Sequence, residues 1–402
     1  MEQSLEQEFE TYFGADLATV TQAPAEISQT LAEIAQATGT QPAVLWAIPR
    51  GSHLHLVLLT ASGQPVVRDL YDVNDATLQQ TVDEFHLEMY SSPAQVKMSA
   101  AQQLYRWMIE PFEAAYLEPE AIDTILFCLG DGLRSLPLAA LHDGEQFLLE
   151  KYSLTRIPAF NLIQTDYQPL QAERFVAMGA AEFEHLSPLP AVPLELANTL
   201  RALRLFRPRE DRWIGQSFLN QRFTVANLQA QLETYDPAVV HLATHAVFQA
   251  GQPESSYIQF WQTRLGLERI QSLDWSSPAL ELLVLSACRT AIGDREAELG
   301  FAGIALRSGA KSVLASIWNV SDTGTLALMS EFYRQLGTTT TKAEALRQAQ
   351  LRLLRGEVRV EGDRLRLTRG TVPLPEPLLA EEITDLSAPY YWAAFTLISS
   401  PW

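Results

Sequence analysis

The sequence predicts an α/β protein built on a mostly parallel sheet with helices on both faces. From residue 120 onward, short continuous apolar runs recur at 122–128, 175–179, 239–243, 282–287 and 312–317. They lack the in/out alternation of a half-exposed strand and instead match strands buried on both faces. Helical stretches fill the intervals, at 193–206, 224–235, 299–308, 323–336 and 342–355. Strand and helix alternating in this way is the pattern of a parallel sheet covered by crossover helices.

The first hundred residues have a different texture, that of a small α+β segment. Residues 1–38 place Leu, Phe, Ile and Val among acids and alanines at helical spacing, broken by Pro24 and stopped near Gly39, which predicts two helices. Runs at 43–48 and 54–60 flank the tight Arg50-Gly51-Ser52 segment and predict a hairpin, with a third strand at 65–70. Helices are expected at 75–90 and 99–117. Near the other end, 356–369 alternates as a charged hairpin, 373–377 reads as a surface loop, and 391–398 as the last strand. No 34-residue self-similarity marks a helical-repeat array.

Composition narrows the function. The 402 residues hold 48 acids against 29 Lys and Arg, a net charge of −19, and residues 1–100 alone carry 13 acids and three bases. A field of that sign repels phosphate backbones, so no nucleic-acid partner is expected. No apolar run approaches the roughly 18 residues of a membrane span, and no membrane partner is expected. The start is acidic and lacks the pattern of a secretory signal. Only two cysteines occur, Cys128 and Cys288, both in apolar strand-like runs. That usage suits a reducing compartment, and the chain is expected to be cytoplasmic.

Reactive groups in an open parallel sheet gather beyond the carboxyl ends of the strands. Two apolar runs end there in chemistry-bearing residues, 239–245 in His245 and 283–288 in Cys288. A thiol needs a base or a positive field to become the reactive thiolate, and an imidazole both takes that proton and later protonates a leaving amine. The alternative is a buried structural cysteine beside a hydrogen-bonded core histidine. His241 and His245 share the i, i+4 spacing of a zinc-protease helix, but the segment is strand-like and lacks the adjacent Glu, so no metal is expected. Gly300-Phe301-Ala302-Gly303 and Gly130-Asp131-Gly132 are packing and turn glycines rather than phosphate loops. Cys128 is expected to be a core thiol.

Longer strings carry a family resemblance. His241-Leu242-Ala243-Thr244-His245, Leu283-Val284-Leu285-Ser286-Ala287-Cys288-Arg289-Thr290, Gly309-Ala310-Lys311-Ser312-Val313 running to Trp318-Asn319-Val320-Ser321-Asp322, Lys342-Ala343-Glu344-Ala345-Leu346-Arg347-Gln348-Ala349-Gln350 and Pro389-Tyr390-Tyr391-Trp392-Ala393-Ala394-Phe395 resemble, in order and spacing, the CHAT family of caspase-like and separase-like cysteine peptidases, in a cyanobacterial-type form. Asp131 to Leu141 matches the family's first half, so the resemblance covers about residues 100–402. The separation of 43 residues from His245 to Cys288 is similar to the caspase-type spacing of roughly 50.

The resemblance implies a caspase-like fold made of a degenerate half and an active half, and divides the chain into an acidic N-terminal region (1–98), a degenerate half (99–208) and a catalytic half (209–402). It implies a cysteine endopeptidase acting on protein or peptide substrates without a cofactor, with Cys288 as nucleophile and His245 handling protons. Backbone N–H groups of Cys288 and Ala246 would meet the oxyanion, Ala246 standing where most members have glycine. Asp322 matches the separase acid that contacts a basic residue before the cleaved bond; the other role open to it is capping the helix that follows. Ser286 occupies the position, two before the nucleophile, where Arg-specific metacaspases place a second substrate-binding aspartate. The alternative function is a catalytically silent CHAT-type interaction or regulatory module, and in either case the N-terminal region is the expected contact for a regulatory protein partner.

Overall fold

A computed structural model describes residues 2–14, 17, 22–89, 98–170, 173–205, 213–249, 251, 253–273, 280–290 and 295–402; at 205, 271, 287–290 and 295 the description is of the backbone. The strands are β1 (Pro42–Pro49), β2 (Leu54–Thr60), β3 (Val66–Leu70), β4 (Thr124–Leu129), β5 (Ser153–Ile157), β6 (Arg174–Gly179), β7 (Ile214–Leu219), β8 (Val239–Phe248), β9 (Tyr257–Gln259), β10 (Arg264–Gly266), β11 (Leu282–Thr290), β12 (Ser312–Ser316), β13 (Arg359–Glu361), β14 (Arg364–Arg366), β15 (Thr371–Pro373) and β16 (Phe395–Ser399). Among the described residues, thirteen of them form one sheet running β7-β6-β8-β11-β12-β16-β5-β4-β1-β2-β3, with β9 and β10 continuing beside the outer end of β8. Pairing is parallel from β7 to β12 and from β16 to β1; β16 is antiparallel to β12, and β2 is antiparallel to both β1 and β3. The expected class, a mostly parallel sheet flanked by helices, is what the chain adopts.

Side-chain alternation explains why both faces are covered. In β1, Val44, Trp46 and Ile48 point into one apolar cluster with Ile27, Leu31 and Ile34 of the Pro24–Thr38 helix. Ala43, Leu45 and Ala47 point into the other, with Val82 and Phe85 of the Asp75–Met89 helix and Leu104 of the Ser99–Met108 helix. The helix at 24–38 begins and ends as its sequence dictates: Pro24 opens it, the Glu26 carboxylate accepts from the Ala23 N–H at 2.6 Å, and Gly39 closes it at φ 75°. The α+β segment is thus an extension of the main sheet. β6 lies between β7 and β8, so a division at residue 208 falls between paired neighbours.

Several elements differ from expectation for identifiable reasons. The segment expected as a strand from 391 is a Pro389–Trp392 helix, opened by its proline, and the strand starts at Phe395. The 373–377 loop runs into a Glu376–Leu379 turn of helix that again begins at a proline. Pro111 divides the 99–117 helix, and Gly303 divides 299–308 into Arg295–Ala302 and Ile304–Ser308. The 356–369 hairpin gains a third strand, β15. Among the described residues no helix is long and apolar enough to cross a membrane.

The junction of β16 with β5 has its own construction. Its ladder pairs Ile398 with Arg156. Around that pair, Thr155 Oγ1 lies 3.1 and 2.9 Å from the carbonyls of Leu397 and Ser399. Arg156, 2% exposed, donates to Thr396 Oγ1 at 3.0 Å, to the Leu136 carbonyl at 2.8 Å and to the Arg134 carbonyl. Arg347 reaches the Leu149 and Glu150 carbonyls, and Ser153 donates to Glu344 at 2.6 Å.

The N-terminal Glu2–Phe13 helix bridges distant parts of this sheet. Glu2 accepts from Trp46 Nε1 and Glu8 pairs with Arg134, while Phe9 and Tyr12 pack on Leu299 and Ala302 of the Arg295–Ala302 helix. Replacing Phe9, wholly buried, with alanine is expected to destabilise this docking by about 3–5 kcal/mol. Hydrogen exchange should register the loss first in residues 2–13 and 295–302.

Candidate active site

β8 and β11 run side by side in parallel, pairing Leu282 with Val239 through Leu285 with Leu242. There the register slips by one residue, so that Ala243 and Thr244 stand opposite Ser286, a bulge of the kind that re-aims side chains at sheet rims. Thr244 is fixed in this position by donating its hydroxyl to the Gln259 carbonyl at 2.5 Å. Beyond the slip, Ala287 faces His245, and the Cα of Cys288 stands beside that of Ala246. The two expected reactive residues therefore sit one position apart on neighbouring strands, at the carboxyl ends. The side chain of Cys288, and with it the thiol–imidazole separation, lies outside the described residues.

His245 is half-buried, its ring 4.9 Å from that of Phe183. Its Nε2 lies 2.9 Å from the Ser187 carbonyl; a carbonyl only accepts, so in the neutral ring Nε2 carries the proton and Nδ1 is the free base. Burial pushes the imidazole below its ordinary pKa, opposed by the Ser187 bond, which keeps the ring neutral and basic near neutral pH. Phe183 also lines a cavity of about 460 Å³ together with His185, Leu186, Gln259, Trp261 and Arg264.

The same 180–191 connection reaches Asp322. Its carboxylate accepts from the Ala191 N–H at 3.3 Å. The helix cap is Ser321, whose hydroxyl accepts from the Gly324 N–H at 3.1 Å, so capping is not the role of Asp322, which is the first residue of the Asp322–Leu336 helix. Burial, helped by Glu381 and Glu195 and opposed by the Ala191 bond, pushes its carboxyl up to about 7. One loop thus holds His245 by a carbonyl and Asp322 by an N–H. Neither backbone group has a signature in the sequence; the only hint is the proline-flanked Ser187-Pro188-Leu189-Pro190-Ala191 between strand and helix.

The remaining expected residues are placed as follows. Ser286 is 2% exposed within the bulge, beneath the strand ends rather than on their rim. Ala246, also buried, stands between Cys288 of β11 and Ile258 of β9. His241 is fully buried, with Nδ1 2.9 Å from the Tyr333 hydroxyl and Nε2 3.0 Å from Glu195 Oε1, a close contact without hydrogen-bond alignment. These neighbours are a hydroxyl and a single carboxylate, which does not amount to a zinc ligand set. Cys128 is buried in β4 with Sγ 3.4 Å from the Pro158 carbonyl, and burial, reinforced by Glu2, holds its thiol well above the ordinary range.

A model of the CHAT domain matches residues 99–400. The chain belongs to the CHAT family. Among solved structures, this CHAT protein is similar to a chain of the Saccharomyces cerevisiae separase–securin complex in two crystal structures, at 11% and 12% identity and a TM-score of 0.49 in both. Each match covers 94% of this chain and 31% of the other, so the CHAT protein spans less than a third of those chains. It is also similar to the complex of Porphyromonas gingivalis RgpB pro- and mature domains, at 12% identity and a TM-score of 0.42, covering 81% of this chain and 76% of that one. A comparison with curated proteins finds no match.

Proposed function

We propose that this CHAT protein is a cysteine endopeptidase that hydrolyses peptide bonds of protein substrates in the cytoplasm. The observation that carries the reading is the register of β8 and β11, which sets His245 and Cys288 one position apart at the carboxyl ends of adjacent parallel strands. In the reaction, His245 Nδ1 takes the Cys288 proton as sulfur attacks the scissile carbonyl. The C–N bond then breaks, the imidazolium protonates the departing amine, and a thioester remains. Water, deprotonated by the same imidazole, hydrolyses the thioester and regenerates the thiol. The N–H groups of Ala246 and Cys288 are the proposed oxyanion donors. Asp322 is the proposed partner of an Arg or Lys before the cut, and Ser286, buried two residues before the nucleophile, is the proposed second substrate-binding position. The test is a proteome-wide comparison of new N-termini between wild type and Cys288→Ala; sets that do not differ would overturn the proposal.

The Asp322 assignment has a pH signature. With its carboxyl titrating at about 7, the charge that recognises a basic side chain develops as pH rises through 7, so preference for Arg and Lys should increase between pH 6 and 8. Asp322→Asn should lower kcat/KM for basic substrates by about 10–100-fold, the worth of one charge-assisted hydrogen bond. Stability should move the other way. A carboxyl whose folded pKa is raised contributes stability while protonated and loses it as pH climbs from about 4, its unfolded value, through about 7. At pH 8 the asparagine variant is therefore expected to melt above the wild type, and near pH 4 the two should coincide. Thermal melts at the two pH values check this.

A second reading, a silent or latent module, is favoured by one observation. The β8–β11 ladder continues past the proposed dyad to Arg289 beside Val247 and Thr290 beside Phe248, and β9 pairs with Ala246 and Val247 on the other side. Oxyanion binding by Ala246 and Cys288 requires these outer ends to part. Engagement of a regulatory protein by residues 1–98, whose first helix packs on the Arg295–Ala302 helix, is a route to that opening. Activity that appears only on adding a partner supports latency, whereas activity of the isolated chain rules it out.

A further inference from the structure

We propose that His53, His55 and Asp69 form a binding site for a divalent transition-metal ion of the zinc type at the outer edge of the sheet, far along the strand order from the dyad. Ser52-His53-Leu54-His55-Leu56 spaces the two histidines by two residues, so they share a face of the β2 strand and its lead-in turn. Leu54 and Leu56 are wholly buried on the other face, which fixes both imidazoles outward. Register then supplies the third ligand, because His55 pairs directly with Asp69 of β3. The ligand atoms of all three lie within 4.8 Å of one another. His53 Nε2 is 3.4 Å and His55 Nδ1 2.6 Å from Asp69 Oδ1.

Those distances suit a tetrahedral ion. With metal–ligand bonds of about 2.0–2.1 Å, neighbouring donor atoms stand roughly 3.3 Å apart. The His53–Asp69 edge already has that length, and the His55–Asp69 edge reaches it by a side-chain rotation of under about 1 Å on an open face. The supporting contact is present too: Ser52 Oγ lies 3.1 Å from His53 Nδ1, engaging the ring nitrogen that does not face the carboxylate. Side-chain exposures of 20%, 24% and 31% leave room for the ion and for water in the fourth position. Two imidazoles and one carboxylate select zinc, nickel, cobalt or copper over calcium or magnesium. The bound ion clips β2 to β3, the last strand in the sheet order among the described residues.

The test uses the full chain with Cys288→Ala, which removes a competing thiol from the titration. Zn²⁺ is titrated by calorimetry, and Co²⁺ by its visible absorption and by the fluorescence of Tyr71, whose ring lies 5.0 Å from that of His53. The expected result is one high-affinity equivalent and a raised Tm. Affinity should fall at least about tenfold in both His53→Ala and Asp69→Asn, and should be unchanged in His185→Ala, a surface histidine elsewhere. Circular dichroism confirms that each variant is folded; these are solvent-facing positions, and His55→Gln supplies a third. Absence of a bound equivalent, or equal affinity in the His53 and Asp69 variants and their parent, overturns the proposal.

Discussion

Cys288→Ala is expected to lower peptide hydrolysis by roughly 10⁴–10⁶-fold, the loss seen when a covalent nucleophile is removed and binding is left intact. The control is internal to the chain. Cys128 is sealed in β4 with its thiol held well above the ordinary range, whereas Cys288 lies in the last three residues of β11, its Cα beside that of Ala246. A peptidyl electrophile should therefore label Cys288 in the wild type, spare Cys128, and label nothing in the alanine variant, as read by mass spectrometry. His245→Ala should suppress labelling as well, because the thiol then loses its base. Labelling confined to Cys128 would remove the basis of the proposed chemistry.

Arg156→Ala is expected to be the most destabilising single substitution at the centre of the sheet, by about 3–5 kcal/mol. Burial holds the guanidinium pKa down to about 9, against the pull of Glu298, and its N–H groups satisfy the carbonyls of Arg134 and Leu136 and the hydroxyl of Thr396. Truncation leaves those oxygens buried without their donor, and removes the positive charge that acts on the 1%-exposed Glu298. Urea unfolding, with the midpoint and slope fitted separately, measures the loss. A midpoint close to wild type would show that water replaces the guanidinium.

What the sequence disclosed follows from where the physics is local. β8, β11 and β12 were readable because a strand buried on both faces must be a continuous apolar run. β5 was not, because Ser153-Leu154-Thr155-Arg156-Ile157 looks polar until Leu397, Ser399 and Leu136 arrive to satisfy it from far along the chain. β7, Ile214–Leu219, carries glycine and glutamine and reads as a loop on its own. At the candidate site, side chains at strand ends were visible as His245 and Cys288, and Asp322 was placed by its neighbours. The groups that orient them, the Ser187 carbonyl and the Ala191 N–H, are backbone atoms that every residue possesses, so composition could not single them out. The helix cap fell one residue earlier than Asp322 because Ser321 also satisfies that position.

The join between β16 and β5 has a consequence for inheritance. Most neighbouring strands of the sheet are stitched by amides and carbonyls that survive almost any codon change. Here the Thr155 hydroxyl and the Arg156 guanidinium do part of the stitching, so this boundary is written in the genetic text. Drift at those two codons would weaken this one join while the ladders on either side of it keep their backbone pairing.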